Sequence, residues 1–279
     1  MIRLKGLTKI YGQKKVVNNL DLDIQPKEIF ALLGPNGAGK TTTIRMLTTL
    51  SRPSEGTAYI NNYNIAEETL AVKKSIGVVT QQSNMERELT SWENLELHGM
   101  LYKIPQPERK KRIGELLEYV GLTERINDKV ATFSGGMVRR LMIARALMHK
   151  PQVLFLDEPT VGLDPQTRRK IWDLIKVMRL EGMTVLLTTH YIEEAESLCD
   201  RVGVIDHGQL IALGTADELK EKVGKAVVEY LEDNKTERKF FSSRVEALKY
   251  VEDLEIDFNV RQTNLEDVFV QLTGREVSG

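Results

Sequence analysis

The sequence predicts an α/β fold. An open, mostly parallel sheet carries helices, with an antiparallel β-subdomain at the amino end, a helical subdomain inserted midway and a small α+β extension at the carboxyl end. Three observations predict it. The apolar run Ile29-Phe30-Ala31-Leu32-Leu33 leads into Gly34-Pro35-Asn36-Gly37-Ala38-Gly39-Lys40-Thr41-Thr42 and then into the helical pattern Thr43-Ile44-Arg45-Met46-Leu47. Val153-Leu154-Phe155-Leu156 has no polar residue, as expected of a strand covered on both faces of a parallel sheet. Residues 90–150 show helical spacing and no strand pattern, which marks an insertion into the sheet.

Taken in order, Ile2 to Leu7 and Leu20 to Ile24 alternate as strands, with Lys9-Ile10-Tyr11-Gly12 between them and a Pro26-Lys27 turn after them. Tyr11 is either a buried aromatic or a flat surface for a base. The glycines at 34, 37 and 39 let the backbone wind so that successive N–H groups face one anion, and phosphate is its natural occupant. The helix beginning near Lys40 adds unpaired N–H groups and the positive end of its dipole; Lys40 reaches the outer phosphates and the Thr41 hydroxyl suits Mg²⁺.

A turn at Pro53-Ser54-Glu55-Gly56 precedes a strand at Thr57 to Ile60, a helix from Leu70 to Lys74 and the strand Ile76 to Val79. That strand delivers Thr80-Gln81-Gln82 to the edge where ligands bind in such sheets. In the helical subdomain, about 86–150, Thr90-Ser91-Trp92-Glu93 reads as a capping start, and Ile113, Leu116, Leu117 and Val120 form one apolar face. Ser134-Gly135-Gly136 opens a further helix, either as a plain N-cap or as a second anion site.

The buried strand at 153–156 delivers Asp157 and Glu158. Paired carboxylates there are costly to desolvate unless a metal and a water use them. A turn at 159–165 leads to a helix ending near Arg179, and the strand Thr184 to Thr189 ends at His190, a structural or a functional histidine. Asp206-His207-Gly208-Gln209 joins two strands as a hairpin. After about residue 225 the pattern restarts at Ala226, with helices near Val245–Val251 and Leu265–Leu272.

The chain of 279 residues, 41% hydrophobic and 28% charged, can bury a substantial core. A net charge of -1 argues against a nucleic-acid partner. Arg109-Lys110-Lys111-Arg112, flanked by Glu108 and Glu115, reads as a solvated helix face. The single cysteine, Cys199, excludes an intrachain disulfide, and the start lacks a secretion-signal pattern, so the cytoplasm is expected. No apolar run approaches the ~20 residues that span a bilayer, so any spanning falls to another chain.

These stretches, in this order, resemble the ATP-binding subunit of an ATP-binding cassette (ABC) transporter, a P-loop NTPase fold, over at least residues 1–220. The resemblance implies that Tyr11 stacks on adenine and that Gly34, Pro35, Asn36, Gly37, Ala38, Gly39, Lys40, Thr41 and Thr42 hold the phosphates of ATP. It implies Mg²⁺ held by Thr41, Gln81 and Asp157, Glu158 as general base and His190 on the γ-phosphate. Two subunits, expected as a homodimer, sandwich two ATP molecules, so Ser134, Gly135, Gly136 and Met137 of one chain face the nucleotide of the other, and Asp164 sits at the seam. The family's commonest signature has leucine and glutamine where this chain has Phe133 and Met137, so a hydrogen bond from a glutamine at 137 is lost.

Phe133-Ser134-Gly135-Gly136-Met137 followed by Arg139-Arg140-Leu141, with Leu265-Glu266-Asp267-Val268-Phe269 and Leu272-Thr273-Gly274, is similar to the ABC-2 branch of drug, antibiotic and polysaccharide exporters. The expected partner is a separate transmembrane permease, which would hold the chain to the inner face of the cell membrane. The segment 90–105 is expected to dock it, through some of Met85, Leu89, Trp92, Leu95, Leu97, Met100, Leu101 and Tyr102. The residues at 225–279 are expected to form a small accessory domain. The alternative is a soluble ABC-type ATPase without a membrane partner. Asn234-Lys235-Thr236-Glu237, which loosely imitates a guanine-reading loop, is expected to be a surface turn.

Overall fold

The computed structural model describes residues 1–232, 235–252 and 257–274. Strands β1 (Ile2–Tyr11) and β2 (Lys14–Ile24) form a hairpin that turns at Gly12, whose φ of 58° suits glycine. Lys9 to Tyr11, read from the sequence as a link, instead continues β1. Register shifts along the pair let Lys9 face Val17 and Tyr11 face Lys14. After β3 (Ile29–Leu33) come α1 (Lys40–Leu47), β4 (Glu55–Ile60), the short β5 (Tyr63–Asn64), α2 (Thr69–Ser75) and β6 (Ile76–Val79). Strands β2-β1-β4-β5 make an antiparallel sheet.

The inserted helices are α3 (Ser91–Leu101), α4 (Gln106–Tyr119) and α5 (Gly135–Ala146). Helix α3 starts where the sequence places it, because Thr90 and Glu93 cap each other reciprocally. Ile113, Leu116, Leu117 and Val120 all turn inward from α4 and its end. Next follow β7 (Val153–Asp157), α6 (Pro165–Leu180), β8 (Thr184–Thr189), α7 (Ile192–Leu198), β9 (Arg201–Asp206), β10 (Gln209–Gly214) and α8 (Ala216–Val223).

The central sheet runs β10-β9-β3-β8-β7-β6, parallel except where β10 returns beside β9. Both its faces are covered. Phe30, Phe155 and Leu186 pack toward the β1 sheet, whereas Ala31, Leu33, Leu154 and Leu187 pack toward the helices. This two-sided burial is why β3 and β7 are apolar along nearly their whole length, each large side chain contributing about 1.5–3 kcal/mol by leaving water. Parallel register then sets the carboxyl ends level, with Leu33 beside Thr189 and Asp157 beside Thr188.

Beyond α8, β11 (Ala226–Glu232), β12 (Lys235–Phe241), α9 (Arg244–Val251) and β13 (Phe258–Gln262) form a sheet of order β12-β11-β13 with α9 against it. Lys235, Thr236 and Glu237, expected as a surface turn, belong to β12. Thr236 pairs with Leu231 and Glu237 with Tyr230, and Asn234 lies outside the described residues. Helix α10 (Leu265–Thr273) returns to the larger core, where Leu265, Val268 and Phe269 are buried with Ala195, Leu198 and Leu219. Among the described residues no helix is long and apolar enough to cross a membrane.

Candidate functional site

The carboxyl ends of β3, β6, β7 and β8 converge on a cleft of about 250 Å³ lined by Val16, Asn36, Gly37, Gly39, Lys40, Thr41, Thr42, Gln81 and Glu158. The three loop glycines differ in what requires them. Gly37 has φ 81° and open space around it, so only backbone freedom demands glycine there. Gly39 has φ 106°, and a Cβ on it would also lie 2.7 Å from the Val16 carbonyl oxygen.

Gly34, expected from sequence to serve the winding of the loop, is not left-handed. A Cβ there would lie 2.2 Å from the Ile205 carbonyl oxygen, so its role is close approach to β9. Gly34→Ala is therefore expected to cost about 1–3 kcal/mol of stability, read as a lower Tm together with weaker nucleotide binding. An unchanged Tm would show that β9 can yield.

From β10's side, Gly208 N–H donates to the Ala38 carbonyl at 2.9 Å and fixes the back of the loop. Lys40 is 4% exposed, and its Nζ donates to the carbonyls of Gly34 at 2.7 Å and Pro35 at 3.1 Å, with Glu158 Oε1 at 3.5 Å. Burial pulls its ammonium below the ordinary lysine range, against the opposing pull of Glu158 and Asp157. Thr41 Oγ1 donates to Asp157 Oδ1 at 3.1 Å, and Thr188 Oγ1 donates to the same oxygen at 2.6 Å.

Glu158 has φ 48°, the left-handed region that a β-carbon disfavours, and its N–H is held by Thr188 through both the carbonyl (3.2 Å) and Oγ1 (3.0 Å). The turn throws the Glu158 carboxylate out of the sheet and into the cleft. Gln81 Nε2 donates to Glu158 Oε2 at 3.0 Å. His190 Nδ1 stands 3.5 Å from Oε1 and has no hydrogen-bond partner. Lysine, glutamine and histidine thus surround one carboxylate, while Asp157 next to it faces the Thr41 hydroxyl.

The structure brings together the loop 34–42, Gln81, Asp157, Glu158 and His190. Tyr11 is 48% exposed at the tip of the β1–β2 hairpin and does not line the cleft; Lys9 Nζ lies 5.0 Å from its ring centroid. Ser134, Gly135, Gly136, Met137 and Asp164 lie outside the cleft but near one another. Ser134 Oγ accepts from Met137 N–H at 3.3 Å, and Asp164 Oδ1 accepts from Thr167 N–H at 3.0 Å, so each caps a helix. The Thr167 hydrogen bonds hold the Asp164 carboxyl below the usual carboxylate range. A Cβ on Gly136 would meet Thr167 Cγ2 at 2.3 Å, and one on Gly135 would lie 3.7 Å from Leu163, so the starts of α5 and α6 stand side by side. Phe133 and Met137 are partly buried against the larger core.

Three supporting residues were not singled out from sequence as parts of the site. Thr188 holds both acidic residues, and its hydroxyl in a buried strand was the available signal. Glu194 is buried and accepts from Thr160 Oγ1 at 2.8 Å and Trp172 Nε1 at 2.9 Å, bracing the turn before Asp164. Arg139 donates to the Thr80 and Gln81 carbonyls, a long-range contact that spacing along the chain cannot show.

The ABC transporter family model matches residues 17–161. The linearmycin resistance ATP-binding protein LnrL of Bacillus subtilis (strain 168) is 40% identical over 99% of both chains. The daunorubicin/doxorubicin resistance ATP-binding protein DrrA of Streptomyces peucetius is 44% identical over 81% of this chain and 69% of its own. Among solved structures, an ATP-binding subunit of an ABC transporter superposes with a TM-score of 0.72 at 30% identity, covering 80% of this chain and 92% of that one. A dimeric, post-hydrolysis ATP-binding cassette, MJ0796, bound to ADP and Pi superposes with a TM-score of 0.71 at 33% identity, covering 77% of this chain and 98% of that one. With a phosphate loop, an acidic pair and a polar cluster level at one sheet edge, and with relatives alike across its whole length, the chain belongs to the ABC transporter family and is an ATP-hydrolysing cassette.

Proposed function

We propose that the chain is the ATP-binding and hydrolysing subunit that powers a separate membrane-spanning permease, as an ABC-2 type exporter of drugs, lipids or polysaccharides. The observation that carries this reading is the cluster of Lys40, Gln81 and His190 around Glu158, beside the Thr41–Asp157 pair, at the mouth of a glycine-rich loop. The drug-resistance names of its reported relatives support the export branch.

In this reading the N–H groups of residues 34–39 and the Lys40 ammonium hold the phosphates, Thr42 lines the same wall, and Tyr11 stacks on the adenine. Hydroxyl, carboxylate and amide oxygens at Thr41, Asp157 and Gln81 fit Mg²⁺, a hard cation that takes few protein ligands beside phosphate and water. The metal supplies charge neutralisation on the phosphate oxygens. Glu158 accepts the proton of the attacking water, His190 steadies the γ-phosphate, and Lys40 leaves Glu158 for the phosphates.

Two copies of the chain would face each other, so that Ser134, Gly135 and Gly136, with Met137 behind them, cover the partner's nucleotide and Asp164 lies at the seam. Residues 1–220 are the cassette, and 225–279 an accessory domain whose last helix packs back on it. The permease would hold the dimer at the cytoplasmic face of the membrane. Hydrolysis that is dependent on Mg²⁺, with a membrane protein co-purifying, tests the reading; hydrolysis without any membrane partner in the cell would favour a soluble ATPase.

The proposed docking surface draws on the exposed members of the apolar set near α3. Of the eight apolar residues proposed there, Met85 and Leu95 are buried and belong to the core, whereas Leu97, Met100 and Leu101 are exposed at 44%, 56% and 72%. A cleft of about 300 Å³ beside them is lined by Thr80, His98, Tyr102, Arg145 and His149, near the Gln81 loop. Met and other apolar groups suit an interface centre. Leu101→Glu is expected to leave hydrolysis by the free chain at the wild-type level and to abolish transport. Unchanged transport and permease binding would remove this face from the contact.

A further inference from the structure

The adjacent arginines after the signature, Arg139 and Arg140, have different destinations. Arg140 stays within the helical subdomain, where its Nη1 donates to the carbonyls of Val120 at 2.6 Å and Gly121 at 3.0 Å. Arg139 leaves it. Only 7% exposed, it crosses from α5 to the segment leaving β6, and its Nη1 and Nη2 donate to the carbonyls of Thr80 at 2.7 Å and Gln81 at 3.0 Å. Burial pulls the guanidinium below its ordinary range, while Asp157, Glu194 and Glu158 favour its charge. A buried cation spent on two consecutive backbone carbonyls does little for solubility or core packing; what it fixes is the position of residues 80–81 relative to α5.

The two ends of that tie serve different places. Gln81 holds Glu158 of its own cleft. Helix α5 starts at Gly135, one turn before Arg139, and presents the exposed Ser134 and Gly135 away from that cleft. No flexible joint lies between Arg139 and the start of α5.

We propose that Arg139 is a positioning residue that couples the two nucleotide sites of the dimer, by tying the backbone that carries Gln81 to the helix whose amino end covers the partner's nucleotide. The proposal rests on the reading that Ser134 and Gly135 serve the partner's site. When nucleotide draws Gln81 into place, the fork carries α5 with it and sets Ser134 at the height the opposing phosphates require. Arginine is needed because its planar fork reaches both carbonyls at once; an ammonium cannot hold both in fixed geometry.

The test uses the Glu158→Gln chain, in which ATP-loaded dimers should accumulate and can be followed by size-exclusion chromatography. In that background Arg139→Met is expected to bind ATP as the parent does but to need about tenfold more protein for half-maximal dimer at saturating ATP, the loss typical of hydrogen bonds from a charged donor. Arg139→Lys, which keeps charge and stem, should fall between them and carries the test if Arg139→Met does not fold. With Glu158 intact, the same variants should lower kcat with little change in KM for ATP. Parent-level dimerisation and kcat would overturn the proposal, as would weaker ATP binding and a lower Tm with dimerisation unaltered, which would make Arg139 a packing residue. Ser134→Arg in the same background separates the two readings. If it still dimerises, the trans arrangement itself fails; if it does not while Arg139→Met dimerises as the parent does, only the coupling by Arg139 fails.

Discussion

In Glu158→Gln, ATP hydrolysis is expected to fall by about 10²–10⁴-fold while ATP binding persists. The amide is nearly isosteric, so its oxygen can still accept from Gln81 Nε2, which now donates at 3.0 Å, and the left-handed backbone held by Thr188 is unchanged. What is lost is the ability to take a proton from water. What is gained is a cleft with one negative charge fewer: Lys40, 3.5 Å from Glu158 Oε1, no longer has that carboxylate as a competitor for the phosphates. ATP affinity should therefore equal or exceed the wild type's, and a dimer stabilised by unhydrolysed ATP should appear on size exclusion. Single-turnover hydrolysis and equilibrium nucleotide binding, measured on the same preparation, decide the matter. Hydrolysis at the wild-type rate would remove Glu158 from the role of base, and loss of binding along with hydrolysis would make it part of the phosphate cradle instead.

Much of this site was legible in the sequence because parallel sheets impose a simple rule. A strand buried on both faces must be apolar, so polar residues at its carboxyl end stand out, as Asp157 and Glu158 do after Val153 to Leu156 and as His190 does after Thr184 to Thr189. Caps were legible for a similar reason: Thr90 with Glu93, and Ser134, satisfy N–H groups within three residues of themselves. The part that stayed hidden depends on elements distant along the chain. Gly34 looks like its loop neighbours in sequence, yet the Ile205 carbonyl is what excludes a side chain there. Arg139 enters the sequence reading only as part of the exporter-like stretch after the signature and Glu194 not at all, and only the fold shows them buried against residues 80–81 and Thr160. The apolar residues near α3 were legible as a group but not individually, since Leu95 and Leu101 have the same chemistry and opposite exposure.

Ser134→Arg is expected to bind ATP at its own Lys40 loop normally and to lose hydrolysis almost completely. The position of Ser134 decides both effects. It is exposed, it does not line the cleft that Lys40 and Glu158 share, and its hydroxyl serves the chain itself only by capping α5 through Met137 N–H. Losing that cap costs about 0.5–2 kcal/mol, too little to unfold a domain of this size. A long cationic side chain directed outward therefore leaves the monomer and its own phosphate loop intact but fills the space a partner's γ-phosphate would need. Mixed dimers make the geometry decisive. When a Ser134→Arg chain is paired with a Lys40→Ala chain, one composite site carries both lesions, and the other combines an intact Lys40 loop with an intact Ser134. Recovery of hydrolysis from the mixed dimers, each at about half the wild-type rate because one of its two sites is intact, with none from either parent alone, is the result expected if the two sites act separately; strict coupling between the two sites would lower that recovery without altering its origin. Loss of nucleotide binding by Ser134→Arg alone would place Ser134 in its own chain's site and refute the trans arrangement.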